Sequence, residues 1–400
     1  MTAMQTEART SATADLGAFF AMFGERHWTA RIDALKQAAA GPQRAGRAVL
    51  QRHAVEITLE RLRRGDLDLQ PGSAGMAVLA LARQTARFHG LLSRAGRARM
   101  CAALRAGLEG GNTLIPALHL ISTAVAQCAR GFAVHFAGYE DKAAFDLLIR
   151  RDGIEAEIVC DVVSAEEGRD VRRGAWVDLV DGIDPDLQIW LAAHPGRYLL
   201  KLTLPQGLRG GSHPDGNDLA SLHRRIRTML QTHCRADHDE AAVLRLDPLM
   251  LAAAQADENG LMSSLRREFG HEAHLAVTTA GGGVFVLAAR AGRENEVAGA
   301  IRRRMEMIAP ARLTGTRPGI LAMFVEDTDR AEWSHLRDRL ELEGETRQFL
   351  TDAAARSVVA VTCRSRIELL GSGGEEELRF RNPSHPAGRL AALAPAVAPP

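Results

Sequence analysis

The chain has 400 residues, 46% apolar and 25% charged, with a formal net charge of +1. That length suggests two domains or one large one, and the near-neutral balance leaves any case for nucleic acid to local basic clusters. Five scattered cysteines with no C-x-x-C pair argue against a disulfide framework or a cysteine zinc site, no run of about 18 apolar residues offers a membrane span, and a reduced, cytoplasmic setting without membrane is expected.

Residues 1–13 are small and polar and are expected to be a disordered leader. Leu16, Phe19, Phe20 and Phe23 then recur at helical spacing. Further helices are predicted over Ala48–Arg64, Met76–Leu92 with Ser73 as N-cap, Ala98–Leu108 and Thr113–Ala129, which makes residues 14–130 an all-α region. The texture changes near Gly131. Strands are predicted at Phe132–Phe136, Phe145–Ile149 and Ile154–Val163, followed by a helix over Arg169–Leu191 interrupted at Asp184-Pro185. Arg197–Pro205 reads as a buried strand, Gly207–Asp218 as a loop, Asp218–Thr232 as a helix and Ala242–Leu246 as a strand. Leu275–Thr279 and Val284–Ala288 read as a hairpin around Gly281–Gly283, and Glu294–Ile308 as an arginine-rich helix. Gly319–Val325 and Ser357–Cys363 are apolar runs joined by a helical segment, the order of a parallel crossover. One sheet is expected to hold these two runs together with Arg197–Pro205. The Pro/Ala-rich residues 381–400 are expected to have no fold.

The densest chemistry lies between Phe145 and Arg173. Arg150-Arg151-Asp152-Gly153 supplies a hairpin turn between two strands. Alternation puts Glu155, Glu157, Val159 and Asp161 on one face and Ile154, Ala156, Ile158, Cys160 and Val162 on the other. Asp146 enters from the partner strand. Like charges this close raise one another's pKa, and a hard divalent ion such as Mg2+ or Mn2+ would relieve them. A plainer reading makes the acids the wet face of a hairpin, balanced by neighbouring arginines.

The order of Asp146, hairpin, acidic strand, then Ser164 and a basic helix resembles the PD-(D/E)XK nuclease superfamily, the restriction-endonuclease-like fold. Its members place an Asp near one strand and a Glu-x-Lys or Asp-x-Lys on the next. On the register the resemblance implies, Asp146 matches the family Asp, Val159 replaces a metal-binding Glu, and Asp161 replaces the catalytic Lys. The implied fold is α/β, a restriction-endonuclease-like mixed sheet flanked by helices over residues 131–380, behind the helical region. The implied function is metal-dependent phosphodiester hydrolysis of nucleic acid, with Asp146, Glu157 and Asp161 holding Mg2+ or Mn2+ and Arg169, Arg172 and Arg173 flanking the scissile phosphate. The alternative is a non-catalytic pseudo-nuclease that binds nucleic acid or protein.

A migrated lysine is the remaining requirement for catalysis, because such a nuclease keeps a cation beside the metal. Lys36, Lys142 and Lys201 are the only lysines. Lys201 stands in an otherwise apolar strand, where a lysine needs to snorkel or find a carboxylate. It is therefore the candidate catalytic lysine, with a structural salt bridge to one of the acids as the alternative. His271-Glu272-Ala273-His274 has its histidines three apart rather than the four of a metalloprotease motif.

Overall fold

A computed structural model describes residues 16–41, 43–67, 69–70, 72–210, 219–249, 258–270, 272–371 and 377–398. The leader expected at 1–13, residues 211–218 of the expected loop, and His271 lie outside the described residues. In chain order the helices are α1 (residues 16–23), α2 (Glu25–Ala39), α3 (Gln43–Arg52), α4 (Ala54–Arg64), α5 (Ala74–Leu91), α6 (Arg94–Ala106), α7 (Ile115–Ala129), α8 (Ala137–Glu140), α9 (Arg173–Ala193), α10 (Leu219–Thr232), α11 (Glu258–Phe269), α12 (Val297–Arg312), α13 (Arg330–Asp338), α14 (Glu341–Leu350), α15 (Arg366–Leu370) and α16 (Ala394–Val397). The strands are β1 (Ala133–His135), β2 (Leu147–Arg151), β3 (Ile154–Ser164), β4 (Arg197–Leu204), β5 (Ala236–His238), β6 (Val243–Pro248), β7 (His274–Ala280), β8 (Gly283–Ala291), β9 (Gly319–Glu326), β10 (Val358–Ser365) and β11 (Leu378–Arg381).

The chain divides into two compact units. The first comprises Met1–Ala38, Val49–Ala165 and Ala298–Pro400, and the second Ala39–Ala48 and Glu166–Val297. Each has its own sheet and its own apolar core.

The first unit is built on a six-stranded mixed sheet in the order β1-β2-β3-β9-β10-β11. β1, β2 and β3 run antiparallel in turn, β3, β9 and β10 are parallel neighbours, and β11 returns antiparallel. The period-two pattern of β3 decides what each face meets. Ile158, Cys160 and Val162 pair with Ile320, Ala322 and Phe324 and pack into the core that the N-terminal helices share. In that core Phe19, Phe23 and Trp28 are buried, Phe19 against Phe23 edge to face and Phe23 against Trp28 tilted. Val159, Asp161 and Val163 pair with Leu321, Met323 and Val325 on the opposite face.

The second unit carries a five-stranded sheet in the order β5-β6-β4-β8-β7, in which β4 and β8 are the parallel pair and every other pairing is antiparallel. Residues of α9 and α10 share a core with one face of this sheet, through Trp176, Leu179, Ile183, Leu222 and Ile226. Leu261 and Leu265 of α11 pack with Leu199, Val286 and Ala288 on the other face. Among the described residues no helix is long and apolar enough to cross a membrane.

Several expectations need correction. Arg197–Pro205 does not join the sheet of Gly319–Val325 and Ser357–Cys363; it forms β4 of the second unit's sheet. The expected single domain over 131–380 is divided between the two units, and the first unit reaches back into the helical region. α9 continues through Pro185. An interior proline costs about 3 kcal/mol, but Leu179, Val180, Ile183, Leu187 and Leu191 are buried on both sides of it, each contributing about 1.5–3 kcal/mol. Residues 381–398 are packed rather than unfolded, with Leu393, Ala396 and Val397 buried in the first unit's core.

Candidate functional site

The acidic hairpin forms as its turn chemistry dictates. Asp152 and Gly153 both have positive φ, +50° and +77°, the conformation a two-residue type I′ turn requires. The turn sets the register Leu147↔Ile158 through Arg151↔Ile154. Asp146, immediately before β2, is thereby brought beside Cys160 of β3, whose backbone N–H donates to Asp146 Oδ2 at 2.7 Å.

Helix α12 supplies the cations. Arg312 Nη2 donates to Asp146 Oδ1 and Oδ2 at 2.8 and 2.9 Å, and its Nη1 lies 3.9 Å from Asp161 Oδ1. Arg304 donates to Asp161 from both Nε and Nη2, the latter at 3.1 Å. One guanidinium therefore bridges two carboxylates, and a second closes on the outer one. Burial raises the Asp146 pKa above its ordinary value, and the charge on Asp161 adds to that. Arg312 and the Cys160 amide pull it down without cancelling the rise.

Glu157 is 0% exposed, but it is turned toward a different partner. Its carboxylate accepts from the Thr314 backbone N–H at 2.9 Å and from the Thr314 hydroxyl, with Arg317 at 3.5 Å. Glu155 accepts from Arg150 and Arg317, and these bonds hold its pKa below the ordinary carboxylate value. Every acid on this face of the hairpin thus has an arginine within ion-pair distance.

A divalent ion of the magnesium class needs about six oxygen ligands. Asp146 and Asp161 share a guanidinium, and Glu157 is committed to Thr314. Among the described residues no three His, Cys, Asp or Glu side chains are grouped to hold a metal. This donor set does not fit Mg2+ or Mn2+.

The other expected site residues lie in the second unit. The Lys201 amine is 3.6 Å from Asp247, 42% exposed, and 5.8 Å from the Phe269 ring centroid. Its carboxylate partner is thus a strand neighbour, not a member of the acidic hairpin. Arg169 is 4% exposed and bonded to Glu166, so it is not free to hold a phosphate. Arg172 and Arg173 are half-buried at the start of α9, where the Arg172 backbone N–H donates to Leu208 O and that of Arg173 to Glu166. These three arginines shape the entry to α9.

Two features escaped the sequence reading. Arg304 and Arg312 are eight residues apart, a spacing that puts both on one side of a helix, and that spacing was the available signal. The second is an acid-free stretch. Residues 69–108 contain Arg83, Arg87, Arg94, Arg97, Arg99 and Arg105 and no Asp or Glu. Arg99 is spent on the carbonyls of Tyr139 and Glu140, and Arg105 on that of Phe23. Arg87, Arg94 and Arg97 are exposed, and among the described residues none has a carboxylate partner. Glu140 is held against the start of α6, where it accepts from the Ser93 N–H and hydroxyl. Compared with known proteins, the chain matches no family model, no curated protein and no solved structure.

Proposed function

We propose that the first unit is a restriction-endonuclease-like module that binds nucleic acid without cleaving it. The observation that carries this reading is the Arg312 guanidinium bridging Asp146 and Asp161, with Arg304 on Asp161. Asp146 precedes β2, and Glu157 and Asp161 lie on one face of β3, with Asp161 at the position the resemblance gives to a lysine. Their charge is balanced by protein cations instead of a metal. A carboxylate held by a bidentate arginine has its best lone pairs occupied, so activating a water at this place would first require breaking the pairs.

Binding falls to the pair α5 and α6. Among the described residues Arg87, Arg94 and Arg97 have no carboxylate partner within ion-pair distance, and backbone phosphates are the matching partner. Aromatic residues are 4% of the chain, which supplies few stacking platforms for single strands, so the expected substrate is a duplex.

The test is a binding and cleavage assay on a labelled duplex with Mg2+ or Mn2+ present. The expected result is salt-dependent binding and intact duplex. Changing Arg87, Arg94 and Arg97 together to Ala should reduce the slope of log affinity against log salt by about 3, one for each phosphate contact. Cleavage that disappears in D161N would overturn the non-catalytic reading. An unchanged salt slope in the triple variant would overturn the assignment of the surface.

A further inference from the structure

The second unit contains a cleft that neither the acidic hairpin nor the α5–α6 surface uses. We propose that it binds a small anionic molecule, recognised through a phosphate or carboxylate group, at the C-terminal ends of β4 and β8. The proposal stands independently of the nucleic-acid reading.

The position follows from strand direction. β4 and β8 are the parallel pair at the centre of their sheet, so both chains leave the sheet at the same end. In α/β sheets the carboxyl ends of parallel strands are where ligands collect, because neighbouring chains diverge there and leave a crevice. Here the two exits are fastened together. The Gly292 N–H donates to Leu204 O at 3.1 Å, and a Cβ on Gly292 would stand 2.8 Å from Pro205 Cα. Only glycine permits that approach without a shift. The cleft beyond it has a volume of about 370 Å3, enough for a small metabolite.

Its chemistry is polar. Thr203 of β4 and Arg290 of β8 are register partners and both line it, with Glu272, His274, Arg293 and Asn295 around them. Arg290 is exposed and has no carboxylate partner among the described residues. Glu272 is engaged by the Asn295 backbone N–H at 3.0 Å, and Arg293 by Asp170 at 3.0 Å. Glu294, an exposed lining residue, is an opposing charge. The surroundings of His274 are nevertheless positive. His274 donates from Nε2 to Val171 O at 2.9 Å, and its pKa is held at about 4 by burial, with Arg173, Arg169 and Arg266 adding to the effect. The ring is therefore neutral at pH 7, and its Nδ1 remains an acceptor. An arginine fork beside a threonine hydroxyl is a fitting receptor for a planar carboxylate or a phosphate.

The experiment is titration calorimetry on the full chain with pyrophosphate, citrate and uncharged glucose as probes. Pyrophosphate or citrate should bind and glucose should not; which anion binds more tightly identifies the head group. R290E should weaken binding about tenfold or more, since a charge-assisted hydrogen bond is lost. R267E, an exposed position of α11 that does not line the cleft, and R97E, on the first unit, should leave it unchanged. Arg290 is exposed, so its variant should keep the wild-type Tm. The proposal fails if neither anion binds, or if R267E or R97E weakens binding as much as R290E.

Discussion

Two charged regions of the first unit differ in what their charges meet. On the acidic hairpin each carboxylate has an arginine within ion-pair distance. On α5 and α6, Arg87, Arg94 and Arg97 have no carboxylate partner among the described residues. The first region looks like an active site in the sequence and is neutralised in the fold; the second attracts no attention in the sequence and is left without carboxylate partners among the described residues.

The largest expected effect comes from breaking the paired side. Arg312→Met leaves Asp146 and part of Asp161 without their bridge in a partly buried place, and should destabilise the unit by about 3 kcal/mol in urea unfolding. Arg94→Ala, on the unpaired side, should change stability by less than about 0.5 kcal/mol. Equal losses would erase the contrast.

A pH titration sharpens it next. Burial would raise the pKa of Glu60, but hydrogen bonds from Arg63, Trp28 and Arg64 outweigh it and bring the group from 4.5 down to about 2. A depressed carboxylate stabilises the fold above its unfolded pKa and loses that contribution as pH falls through the folded one. Stability should therefore drop between about pH 4.5 and pH 2 by about 3 kcal/mol, and E60Q should remove this limb. Asp146 works in the opposite sense: its folded pKa is raised, so its contribution is present at low pH and fades as pH climbs past that value. A wild-type acid limb that survives in E60Q would assign it to other carboxylates.

The smallest effect belongs to Lys201. Its pair with Asp247 is 3.6 Å long and 42% exposed on the lysine side, and exposed pairs contribute about 0–1 kcal/mol. Lys201→Met should shift Tm slightly and leave duplex binding intact. Loss of duplex binding in this variant would mean that the lysine belongs to the functional surface after all.

The local parts of this arrangement were legible in the sequence. Asp152-Gly153 gave the turn, and alternation gave the shared face of Glu155, Glu157 and Asp161. The partners were not legible, because Arg304 and Arg312 come from another strand-to-strand connection and nothing local ties them to Asp146. Lys201 failed for a related reason. Alternation assigns a side chain to a face but says nothing about which strand lies beside it, so β4 could be placed in the wrong sheet. In the tail, Leu390, Leu393 and Val397 carry a helix-like spacing that the surrounding Pro and Ala obscured.

The register Glu157↔Gly319 joins two strands that the whole of Glu166–Val297 separates in the chain. A ribosome therefore releases β3 long before its parallel neighbour exists, and the sheet must wait. What shortens the wait is that the intervening segment has its own core and closes on itself: the Glu296 N–H donates to Gly168 O at 2.8 Å, near both of its ends. Once that segment has folded, the chain between β3 and α12 behaves as a short tether rather than a long loop, and the entropy of closure falls accordingly. The order of assembly during synthesis is thus inner segment first and outer sheet last, with the edge of β3 exposed in the interval.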